Sequence, residues 1–154
     1  MRRIGRGCGW PSAARWRLRA AGAGLVAFAV DSAVVNIGLK LAARRSRPDR
    51  DSACVPTVRR VPMPASTSFP SGHTASGFAF ANAVSHTLPA TAGPLGMLAS
   101  AVGYSRIHTG VHYPGDVVIG AVIGTAVGEV VGWGTRRLPR RRGSQRDPPP
   151  AAKE

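Results

Sequence analysis

Three short stretches of this chain hold residue types that could bind and move a phosphoryl group. Lys40 and Arg47, the latter followed by Pro48, place two cations seven residues apart. Pro70-Ser71-Gly72-His73 joins a hydroxyl, a glycine and a histidine. Ser105-Arg106, followed by His112 and Asp116, adds a third cation, a second histidine and a carboxylate. That inventory can hold a phosphoryl group by fixed positive charge and pass it through an imidazole without a metal. Phosphoryl transfer asks for positioning and charge stabilisation more than for elaborate covalent chemistry.

Local physics gives each stretch a shape. Lys40 lies four residues after Asn36, so the two share a helix face, while Pro48 disfavours helical geometry at Arg47 and lets it swing in from a fraying end. Ser71 is a natural N-cap, and Gly72 lets backbone come close to a ligand. A helix starting there would aim free N–H groups and a positive dipole end at an anion, with His73 in its first turn. Arg106 is expected at the end of one helix and Asp116 in the first turn of the next, because Gly110 and Pro114 interrupt the stretch between them. His108, His112 and Asp116 would share a face only on an unbroken helix, so no metal site is expected. His112 and Asp116 read instead as a nucleophile with an orienting carboxylate. Arg44 and Arg45 read as basic side chains snorkelling to a membrane interface. His108 has no required role, and His86, in mid-helix, reads as a packing or interface residue.

In order and spacing these stretches resemble the three-part signature of the type-2 phosphatidic acid phosphatase and haloperoxidase superfamily: K-x6-RP, PSGH and SR-x5-H-x3-D. Every position is filled, and the resemblance covers residues 30 to 133. The sequence around the motifs is similar to actinobacterial members. The resemblance implies that His112 attacks phosphorus to form a phosphohistidine, with Asp116 on its other ring nitrogen. It also implies that His73 protonates the leaving alkoxide and later deprotonates water. Lys40, Arg47 and Arg106 would hold the nonbridging oxygens with Ser71 and the Gly72 amide, and no cofactor would be needed. The implied activity is metal-independent hydrolysis of a lipid phosphate or diphosphate. A soluble acid phosphatase, a haloperoxidase using the same cradle, and a non-catalytic relic of the family are the competing readings.

The elements that must position these residues are helical. Apolar stretches at 18–43, 73–88, 94–107 and 117–133 predict an all-α membrane bundle of about four helices. The first and last are long enough to span, and the middle two are shorter than the roughly 20 residues a bilayer core asks for. Integral-membrane members of the family commonly have six helices, so the chain reads as a compact version or one short at its amino-terminus. Residues 1–17 read as a poorly ordered basic lead-in, 18–135 as the membrane domain and 136–154 as a basic, proline-rich disordered tail. Five prolines between residues 48 and 70 rule out a continuous helix there. The basic start followed by apolar residues could also be a secretory signal, but it runs directly into the helix that carries Lys40, which favours an uncleaved span.

Charge supports the membrane reading. The chain has 21 Lys and Arg residues and a net charge of +14, gathered in blocks that alternate with apolar stretches. Nucleic-acid binding would need them on one face of a soluble fold and is not expected. The two tails hold thirteen of these cations against six between Arg44 and Arg60. The positive-inside tendency therefore places both tails in the cytoplasm and the motif loops outside the plasma membrane. Cys8 and Cys54 would then lie on opposite sides. Gly120, Gly124, Gly128 and Gly132 form a stripe suited to close helix approach, within the chain or across a homodimer.

Overall fold

The computed structural model describes residues 10–43 and 45–137, all of whose regular structure is helical. Cys8, Arg44 and the tail from residue 138 lie outside them. Helix α1 (Trp10–Ala33) begins before residue 18, so part of the expected lead-in is helical. A π-helical turn, Val34–Leu39, joins it to α2 (Lys40–Ala43), and the Lys40 N–H donates to the Val35 carbonyl five residues back. Such turns shift helical register and recur at functional sites. Here the turn ends on Lys40.

The remaining helices start and stop where local chemistry directs. α3 (Gly72–Thr87) follows an extended Ser71 and ends ahead of Pro89. α4 (Ala92–His108) closes at Gly110, whose φ of 66° is a left-handed conformation that glycine adopts without strain. α5 (Pro114–Arg137) has proline at its first position, where the missing N–H costs nothing. The four long rods match the expected four-helix bundle, and the loop between α2 and α3 holds one short 3-10 turn, Thr57–Arg59.

Helix α3 is the centre. It packs on α1, α4 and α5, whereas α1 and α4 scarcely touch. The stripe on α5 is the reason for its tight fit. A Cβ on Gly120 would lie 2.6 Å from the Ser71 carbonyl oxygen and one on Gly128 2.7 Å from that of Ala79; one on Gly124 would overlap the Ala75 carbonyl, and one on Gly132 the His86 ring. The stripe is thus buried within the chain, and a homodimer seam through it is not what these glycines form. Ala23, Ala27, Ala79 and Ala83 fill the core beside Val127 and Val131. Small side chains let backbones come close, which suits packing where no hydrophobic drive separates helix from solvent.

The large side chains point the other way. Segments Ala13–Leu39 and Pro114–Arg137 are long and apolar enough to cross a bilayer, each with mean hydropathy 1.7. Leu25, Val122 and Val130 are 61–70% exposed. This outward apolar face fits lipid.

Candidate active site

The loop after α2 folds back along it, and this brings the first two motifs together. The Ser68 N–H donates to the Arg45 carbonyl (2.9 Å), and the Thr67 hydroxyl donates to the Lys40 carbonyl (3.4 Å). Lys40 Nζ and Arg47 Nη2 both donate to the Ser66 hydroxyl at 3.2 Å. Arg47 also donates to the Ser66 and Val111 carbonyls at 2.8 Å, and its Nη1 lies 3.5 Å from Nε2 of His112. Lys40 and Arg47 thus meet at Ser66, and Arg47 reaches on to the His112 imidazole.

His112 is held by the turn that ends α4. The backbone N–H groups of Val111 and His112 both donate to the Arg106 carbonyl, at 3.1 and 3.3 Å. Arg106 enters from α4's last turn, its Nε donating to Ser105 Oγ at 3.3 Å. The imidazole is nearly buried, and burial, reinforced by Arg47, lowers its pKa to about 4 against the opposing pull of Asp116 and the Ser68 carbonyl. At neutral pH it is therefore uncharged, with Nε2 facing Arg47 Nη1.

Asp116 is fully buried and multiply held. Arg45 Nη1 donates to its Oδ1 at 3.0 Å; the Ser68 hydroxyl and the Tyr113 N–H (3.1 Å) donate to Oδ2. The Tyr113 bond is half of a capping box at the start of α5. The Asp116 carbonyl in turn accepts the Ser71 N–H at 3.0 Å, tying the second motif to the third. Its Oδ2 stands 3.7 Å from His112 Nδ1, beyond hydrogen-bond length.

Two expectations change here. Arg45 does not snorkel: it grips Asp116, and its guanidinium lies over the Tyr113 ring at 4.3 Å. Ser71 is buried, makes no side-chain cap, and its hydroxyl faces that of Thr74 at 2.9 Å rather than the cradle. Gly72 leaves a gap whose nearest polar atoms, Asn36 Oδ1 and Lys40 Nζ, are 3.8 Å from where a Cβ would stand. His73, in the first turn of α3, lines the same cavity and lies in the field of Arg106, Lys40 and Arg47. His108 stacks on Tyr104, and His86 pairs with Glu129 at 2.9 Å far along α3. Arg45, Ser66 and Ser68 are site residues that the motifs do not mark. The hydroxyl run Ser66-Thr67-Ser68 ahead of Pro70 is a signal that could have pointed to two of them.

The family model described as the PAP2 superfamily matches residues 20–139. The chain belongs to the PAP2 superfamily. It is 38% identical over 123 residues to the decaprenylphosphoryl-5-phosphoribose phosphatase of Mycobacterium tuberculosis, in two strains. That match covers 77% of this chain, and the chain spans only 64% of the relative's length. Its fold resembles the crystal structure of a transmembrane PAP2 type phosphatidylglycerolphosphate phosphatase from Bacillus subtilis, with a TM-score of 0.65 and 23% identity. The overlap covers 88% of this PAP2 chain and 74% of the Bacillus one.

Proposed function

We propose that this chain is a membrane phosphatase that hydrolyses a lipid phosphate through a phosphohistidine on His112, with residues 18–135 as the working unit. The observation that carries the reading is the placement of Arg47, which meets Lys40 at Ser66 and lies beside Nε2 of the uncharged His112. Substrate oxygens would replace the Ser66 hydroxyl and the loop carbonyls as partners of the two cations, with Arg106 closing the third side. Nε2 of His112 then attacks phosphorus, and the bond from phosphorus to the leaving oxygen breaks. His73 gives its proton to that oxygen, and the alcohol departs. A small rotation lets His112 Nδ1–H meet Asp116, which stabilises the charge the ring acquires. In the second half His73 takes a proton from water, the hydroxide attacks phosphorus, and inorganic phosphate leaves with His112 restored.

The relatives' names support the substrate class, since both describe phosphatases of lipid-linked phosphates. The outward apolar faces of α1 and α5 support a bilayer setting. The basic tails support a site on the extracytoplasmic side. No step is assigned to a metal, and among the described residues no group of three or more His, Cys, Asp or Glu is placed to hold one. The test is phosphate release from phosphatidate by detergent-purified protein, with an acid quench. Wild type should accumulate an acid-labile phosphoenzyme and resist EDTA, and His112→Ala should lose both phosphoenzyme and turnover. Turnover by His112→Ala, or loss of activity to EDTA with recovery on adding a divalent ion, would overturn the mechanism.

A further inference from the structure

The loop between α2 and α3 also grips the turn that leads to His112. Arg47 holds that turn by the Val111 carbonyl at 2.8 Å. Three residues later Arg50 meets it at Gly110, where a Cβ would lie 3.4 Å from Arg50 Cγ and 2.9 Å from a Val55 methyl. The Arg50 guanidinium is fixed at one corner, Nη1 donating to the Val61 carbonyl at 2.7 Å. Its Nε and Nη2 are buried and have no hydrogen-bond partner among the described residues. Those two atoms form the edge of a guanidinium that binds two oxygens of one carboxylate or phosphate through parallel bonds. Buried charged donors left open carry a desolvation cost, and here both donors of one edge are open together.

The nearby carboxylates are engaged elsewhere. Asp51 pairs with Arg60 at 2.7 Å, Asp49 accepts the Asp51 N–H at 3.0 Å, and Asp116 is held by Arg45. Arg50 therefore shares with Lys40, Arg47 and Arg106 the lack of a carboxylate partner among the described residues. Its positive field reaches Arg47, the cation beside His112.

Resting on the phosphate site proposed above, we infer that Arg50 is a fourth cation of that site, its Nε and Nη2 edge taking two oxygens of a phosphoryl group. Lys40, Arg47 and Arg106 belong to the motifs; Arg50 comes from the loop between the first two, where no motif marks it. Both edge atoms lie below the surface, so the oxyanion reaches them as the loop shifts. The Arg60–Asp51 tie across the loop has an 82% exposed carboxylate and opposes such a shift only weakly.

The test is binding rather than turnover. The melting temperature of the detergent-purified full chain, titrated with inorganic phosphate and with methylenediphosphonate, gives a Kd for each, because a ligand of the folded state stabilises it by mass action. Arg50→Gln should weaken phosphate binding roughly ten-fold, and Arg50→Lys, which keeps the charge but loses the edge, should recover part of that. Arg59→Gln, which removes an exposed charge of the same loop, should shift Kd by no more than about two-fold. Val55→Ala, which removes packing on Gly110 without touching charge, should leave Kd as it is. A loss in Arg50→Gln that is larger for methylenediphosphonate assigns the edge to a second phosphoryl group; an equal loss assigns it to the reacting one.

Unchanged Kd values for both anions in Arg50→Gln, as a water on the edge would give, overturn the inference. An equal loss in Val55→Ala does so too, since it would make Arg50 a brace for the turn. Where Arg50→Gln does not fold, wild-type Kd values in Arg50→Lys count equally against it. Wild-type protein that binds phosphate with this dependence on Arg50, yet releases none from phosphatidate, would remove the phosphatase reading and leave the Arg50 site standing.

Discussion

Arg45 decides how the buried carboxylate works. With Oδ1 on Arg45 and Oδ2 on Ser68 and the Tyr113 N–H, Asp116 is a fixed post, and the His112 ring must come to it. Arg45→Gln should therefore lower kcat about ten-fold, equivalent to ~1.4 kcal/mol of barrier, with KM changed little. Arg45→Lys should recover part of the loss; steady-state kinetics that leave kcat untouched in Arg45→Gln would remove Arg45 from the site. The pH profile tests His112. Its free-enzyme pKa is near 4, so, with His112 as the proposed nucleophile, the acid limb of kcat/KM should appear only as pH drops towards that value. An acid limb near the ordinary histidine value would contradict the buried, cation-flanked setting. The motif residues were legible because their spacing is local and their chemistry distinctive. Arg45 was not, since its partner stands 71 residues away and nothing in an arginine-rich run marks one member for a carboxylate.

Among the elements, the α3–α5 seam is the most exposed to a single atom. Gly124→Ala would drive a methyl group into the Ala75 carbonyl, with backbone on both sides and no side chain to yield. The variant should lose ~2 kcal/mol or more of stability, read as a lower melting temperature in detergent. Gly134→Ala, on the same helix with open space around it, should be neutral or gain up to ~1 kcal/mol. Equal melting of the two would mean the seam is looser than described. Helix ends were readable because Pro89, Gly110 and Pro114 punctuate them locally. The π turn before Lys40 was not, as Val34-Val35-Asn36-Ile37-Gly38-Leu39 has the composition of an ordinary helix and the extra residue per turn reflects packing. The glycine stripe was visible as spacing, but which helix it met depended on the fold.

At the scale of the whole molecule, the apolar rods and basic blocks announced a membrane protein, and the outward-facing leucines and valines agree with it. Orientation is open to a direct measurement. Cys54 is an exposed free thiol in the loop between α2 and α3. A membrane-impermeant maleimide applied to intact spheroplasts should label it, and Cys54→Ser should abolish that signal. Labelling only after lysis would turn the site towards the cytoplasm. The tie between Asp31 and Ser76 also bears on how the protein is made. The α1 segment leaves the ribosome with the Asp31 carboxyl inside its apolar stretch, which costs up to about 2.5–3.5 kcal/mol on entering lipid. The hydroxyl that receives it is 45 residues further along the chain. Until α3 emerges, α1 has reason to linger at the translocation channel, and the tie favours entry of the two helices as a pair.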